Sequence, residues 1–104
     1  VDEATQKRLA KKFKALSNPN RFRLFVEILS AQERNYERGH DCFLQSIMQS
    51  LKIAAPTVSH HLKELVNADL ITTELKGKLL TCRVNPESVA ELEAFFTRAH
   101  ALRV

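Results

Sequence analysis

A chain of 104 residues, 44% apolar and 27% charged, has room for one hydrophobic core and not for two. Its net charge of +4 favours an anionic partner, with nucleic acid the commonest for a small basic domain. No apolar run nears the roughly 20 residues a bilayer crossing needs, so no membrane partner is expected.

No charged-then-apolar leader opens the sequence. Cys42 and Cys82 stand far apart and are no disulfide framework, so a cytoplasmic protein is the simplest expectation. With 2 Gly and 3 Pro, long irregular loops are disfavoured and helices favoured.

Over residues 4–16, Leu9, Phe13 and Leu16 recur at i, i+4, i+7 among Lys7, Arg8, Lys11, Lys12 and Lys14. This is an amphipathic helix with a basic face, either simply solvated or supplying long-range attraction. "SNPN" breaks it, with Asn18 as N-cap and Pro19 in the first turn of a second helix. "RFRLFVEIL" is apolar enough to be largely buried. Residues 32–41, "QERNYERGHD", carry no apolar period and contain Gly39, which reads as a polar loop. "CFLQSIMQSL" restores the i, i+3/i+4 pattern in a short third helix. Pro56 opens a fourth that runs to about Ala68.

The period then changes from 3.6 to 2. "LITTEL" and "LLTCRV", separated by "KGK", read as a hairpin. Leu80, Cys82 and Val84 share one face, Leu79, Thr81 and Arg83 the other. Asn85 caps a last helix with Pro86 in its first turn, striped by Val89, Leu92, Phe95, Phe96, Ala99 and Leu102. The fold class is mainly α with a small β-hairpin, in the order α-α-α-α-β-β-α.

The stretch "APTVSHHLKELVNADLI", which contains the fourth helix, holds two adjacent histidines. At 100° per residue Val58, Leu62, Leu65 and Val66 form the buried arc. Pro56, Thr57, His60, Lys63, Glu64 and Asn67 lie opposite, with His61 on the flank. Neighbours 100° apart do not converge on one metal ion, and the i, i+4 spacing of a helical zinc site is absent. No metal site and no cofactor are expected. A short helix, a tight turn, a polar-faced helix and a lysine-tipped hairpin together make a winged helix-turn-helix. Such a helix fits the major groove, and Lys76 and Lys78 can reach phosphate. No nucleophile–base pair, paired carboxylates or phosphate loop is recognisable, so no enzyme is expected.

"LSNPNRFRLFVEIL", "APTVSHHLKELVNADLI" and "ELKGKLLTCRV" resemble the three recurring blocks of the ArsR/SmtB winged-helix repressors, across about residues 16–84. The resemblance implies a homodimeric five-helix regulator that binds double-stranded operator DNA and often releases it when a metal or metalloid binds. It also implies that Thr57, Ser59 and His60 read bases or position the helix, while Lys63, Lys76 and Lys78 add phosphate contacts. His61 would pack and hydrogen-bond from a semi-buried position. Lys52 and Ala54 stand where the family usually has Gly and a Ser cap. Phe43 and Gln45 stand where its arsenic, cadmium and lead sensors often carry a Cys-x-Cys pair. The last helix offers only His100 with scattered Glu against the family's zinc and nickel ligands.

Several expectations follow. The whole of 1–104 is one winged-helix domain whose terminal helices, about 4–16 and 86–102, form a dimer interface through Leu9, Phe13, Phe95, Phe96, Ala99 and Leu102. A dimer implies an inverted-repeat operator. Near the third helix, His40 and Asp41 read as solvated loop residues, Asp41 capping the helix, and Cys42 as a partly buried small hydrophobe. Alternatively Cys42, at a helix N-terminus with a lowered thiol pKa, could be an oxidation site. A site shared across the dimer by His40, Cys42 and His100 is a further alternative. From another class, the fold could serve as a protein-interaction module without DNA binding.

Overall fold

Asp2 opens the first helix, its carboxylate accepting from the Thr5 backbone N–H at 2.7 Å. In the computed structural model, which describes residues 1–38, 41–51 and 53–102, α1 spans Glu3–Leu16. Asn18 then accepts from the Arg21 N–H at 3.0 Å, and α2 begins at Pro19 as its sequence requires.

α2 runs Pro19–Arg38, well into the segment expected to be a loop. The missing apolar period was no bar, because Gln, Glu and Arg are good helix formers and no Gly or Pro intervenes before Gly39. Gln32 explains why the extension is held: its side-chain oxygen accepts from the Val84 N–H at 2.7 Å. Nor is the apolar half of α2 largely buried. Leu24, Ile28 and Ala31 enter the core, while Phe22, Val26 and Leu29 form a second, exposed stripe.

α3 spans Leu44–Ser50 and α4 spans Ala55–Asn67. Ala54 at the N-cap of α4 makes no side-chain cap bond, as expected of a non-polar residue. Asp69, with φ +60°, turns the chain out of α4 into the hairpin. β1 (Ile71–Lys76) pairs antiparallel with β2 (Leu79–Val84), Ile71 facing Val84 and Lys76 facing Leu79. Gly77 holds φ +64° in the first turn position, where two-residue hairpins of type II′ require it. α5 (Pro86–Ala101) starts beneath Asn85, which accepts from the Glu87 N–H at 3.1 Å.

α2 is the central support, packing on α1, α3, α4 and β2. Leu24, Ile28, Leu65, Leu70, Ile71 and Cys82 are all but sealed from solvent. Each such aliphatic side chain contributes about 1.5–3 kcal/mol. α5 contributes little to this core: Ser88 is its one buried residue, and most of its apolar stripe stays exposed or half-buried. The outward face of β2 is not free either. Thr81 is 4% exposed, because Phe43 pairs with it in an isolated bridge and its hydroxyl donates to Glu74 O at 2.9 Å.

Candidate nucleic-acid interface

α4 buries Val58, His61, Leu62 and Leu65 and turns Thr57, Ser59, His60, Lys63 and Asn67 outward. The helix periodicity alone produces this division, since the apolar positions recur at i, i+4, i+7. The two histidines separate as expected, one exposed and one 5% exposed, with ring centres 5.7 Å apart. Lys76 and Lys78 stand exposed at the hairpin tip beside exposed Leu75 and Leu79. Lys76 has a loose carboxylate neighbour in Asp41 at 4.0 Å, both about half exposed. Such a pair contributes little and leaves the ammonium free to exchange partners.

His61 departs from its expected role in one respect. It packs, but its Nδ1 has no hydrogen-bond partner among the described residues, and neither has the buried Nε of Arg21 on α2. Burial holds its imidazolium form below the usual range, with the charges of Arg21 and then His60 adding to the effect. His61 is therefore a neutral wedge between α2 and the outward-facing helix.

Asp41 does not cap α3. The N-cap is Phe43, without a side-chain cap bond. Cys42 thus precedes the helix, sits 5% exposed in the core, and has its thiol pKa pushed up by desolvation rather than lowered. His40 lies outside the described residues. His100 is exposed on α5. Among the described residues no three of His, Cys, Asp and Glu gather as a metal site would need.

The terminal helices meet through an aromatic cluster. Phe13 stands edge-on to Phe95 and Phe96 at 6.1 and 5.8 Å, and those two lie 5.4 Å apart. Phe96 is 55% and Leu102 76% exposed. Ala99 is exposed and Phe95 half-buried. Leu9, expected on the same face, is already covered within the chain.

Sequence reasoning missed Lys12, which it placed in the basic face. Lys12 is 3% exposed and reaches Glu91 Oε1 at 3.1 Å, with Arg8 at 3.3 Å from the other carboxylate oxygen. The signal was present: Lys12 falls only 60° from Leu9 around the helix, between Leu16 and the buried Ala15.

The profile of bacterial regulatory proteins of the arsR family matches residues 37–73, from the end of α2 to the first residues of β1. The arsenical resistance operon repressor of Bacillus subtilis (strain 168) is 32% identical over 92 residues, covering 86% of this chain and 80% of its own. In fold, the chain is similar to a crystallographically solved ArsR family transcriptional regulator, with a TM-score of 0.70, 22% identity, and coverage of 93% and 91%. It is also similar to a homodimeric winged helix-turn-helix DNA-binding domain from Mycobacterium bovis, with a TM-score of 0.66, 23% identity, and coverage of 94% and 82%. No helix among the described residues is long and apolar enough to cross a membrane. By its curated relative and its fold, the chain belongs to the arsR family of bacterial regulatory proteins, and is a winged helix-turn-helix transcriptional regulator rather than an enzyme.

Proposed function

We propose that this protein is a homodimeric, sequence-specific repressor of transcription that lays α4 in the major groove of operator DNA, in the cytoplasm. The observation that carries the reading is the polar outward face of α4, with Thr57, Ser59, His60 and Lys63 together on it, followed directly by a lysine-tipped hairpin. Short polar and imidazole side chains on an exposed helix suit base edges, and cations suit phosphate. Thr57, Ser59 and His60 contact bases, while Lys63, Lys76 and Lys78 contact the backbone.

The terminal helices pair two copies through Phe13, Phe95, Phe96, Ala99 and Leu102. Two-fold symmetry then makes the operator an inverted repeat, with half-site centres about 10–10.5 bp or a multiple of that apart. The homodimeric state of the M. bovis domain and the repressor role of the B. subtilis relative support this reading.

Selection of bound sites from random duplexes tests it. The expected product is an inverted repeat whose affinity falls steeply with salt as phosphate contacts release counterions. A chain that enriched no sequence and showed no salt-dependent binding to duplex DNA would instead be a protein-interaction module.

A further inference from the structure

The sequence separates Cys42 and Cys82, but the fold sets them face to face. The isolated antiparallel bridge Phe43↔Thr81 makes Cys42 and Cys82 the next opposed pair, and the Cys82 N–H donates to Cys42 O at 2.8 Å. Opposed residues on antiparallel strands project to the same side. Both side chains enter the same apolar core, at 5% and 0% exposure, and both are free thiols.

Opposed hydrogen-bonded residues sit with Cα atoms about 5.5 Å apart, inside the window of about 4.4–6.8 Å that a disulfide needs. Their Cβ atoms are typically about 4.5–5.5 Å apart, so closing the bond draws the strands together by about 1 Å. The bridge is a single residue pair, so the segment at 41–43 has little sheet to disturb when it moves.

We propose that Cys42 and Cys82 are a site of reversible covalent modification, closing an intrachain disulfide when a small hydroperoxide reaches them. Cys42 reacts first. It is the less buried of the two and lies beside the positive charge of Arg34, and its chain neighbours Asp41 and Phe43 line a surface cleft with Arg34, Asn35 and Ser46. Its thiolate attacks one peroxide oxygen and breaks the O–O bond, leaving a sulfenic acid on Cys42 and an alcohol or water. The Cys82 sulfur then attacks the Cys42 sulfur, the S–S bond forms, and the S–O bond breaks with loss of water that carries the thiol proton. Two electrons pass from the sulfurs to the peroxide.

Desolvation raises both thiols, Cys82 to about 12, so the reaction is slow at neutral pH and faster in mild alkali. The product ties the lead-in of α3 to the wing strand. It does not depend on the DNA-binding reading.

The test treats the reduced full chain with hydrogen peroxide at pH 7 and pH 8.5 under native conditions. Mass spectrometry and peptide mapping then follow, with Cys42→Ser and Cys82→Ser alongside. The expected result is a loss of two hydrogens, a Cys42–Cys82 linked peptide, faster at the higher pH, and full reversal by dithiothreitol. In Cys82→Ser, Cys42 should instead be trapped by dimedone as the sulfenic acid. A native cross-link closing a loop of this size should raise the melting temperature, on the order of 5–10 °C. Both thiols still alkylating after denaturation, a bond only between two chains, or an oxidised form that melts lower than the reduced one would each overturn the proposal.

Discussion

Lys12 Nζ lies 3.1 Å from Glu91 Oε1, and this contact joins the first helix to the last. The ammonium is buried while the carboxylate is about a quarter exposed and shared with Arg8. The two partners are therefore unequal. Glu91→Ala strands a buried cation and should cost about 1–3 kcal/mol, less than for a fully buried pair because Glu91 meets solvent. Lys12→Met leaves Glu91 with Arg8 and should stay within about 1 kcal/mol of the parent. Urea unfolding of the three proteins compares them directly. The hydrogen bond from Lys12 holds the Glu91 carboxyl below its usual range. Its contribution is thus complete above the ordinary glutamate value and lost as pH falls through the depressed one. Glu91→Gln should flatten that acid limb.

His61 supplies a second pH dependence, in a different window. Its folded-state pKa lies below the ordinary 6.5, chiefly through burial. Above 6.5 both folded and unfolded chains hold it neutral, and stability is unaffected. As pH falls below that value the unfolded chain takes up the proton first, so stability drops until the folded-state value is passed. Urea midpoints measured from pH 7.5 to 5 should fall, and His61→Gln should show a shallower slope despite lower stability at pH 7.5. An equal slope in the variant would remove His61 from this role.

At the candidate DNA face, His60→Ala should relax base preference at one position in each half-site, by on the order of 1–3 kcal/mol. Replacing Lys76 and Lys78 together by Gln should weaken all sequences alike and reduce the slope of log affinity against log salt. Site selection checks the first and salt titration the second. An unchanged motif from His60→Ala would mean that the reading face of α4 is wrongly assigned.

For the terminal helices, Phe96→Asp combined with Leu102→Asp should give a monomer that binds operator weakly. Both residues are exposed in the single chain, so the change should leave the fold intact. Sedimentation at micromolar concentration, with circular dichroism as the folding control, reads the outcome. A monomeric parent protein would refute the dimer assignment.

Most element boundaries were legible because they are set locally. Asn18 and Asn85 cap with their own side chains, Pro19 and Pro86 begin helices, and Gly77 turns the hairpin. The division of α4 into buried and outward faces was legible for the same reason. The second half of α2 was not, since its polar residues are held by partners distant in sequence, as Gln32 is by Val84. Lys12 was misread because charge suggested solvent more strongly than helix phase suggested burial. The meeting of Cys42 with Cys82 depends on the pairing of a lead-in segment with β2, and no local pattern encodes that register.

Asp69 ends α4 in a left-handed turn, and its carbonyl accepts from both Asn85 Nδ2, at 3.0 Å, and the Ser88 hydroxyl. Asn85 and Ser88 belong to the start of α5, on the far side of the hairpin in sequence. The hairpin is therefore a closed excursion whose two ends are pinned to one oxygen. The start of α5 can move relative to the end of α4 only by breaking one or both of these hydrogen bonds.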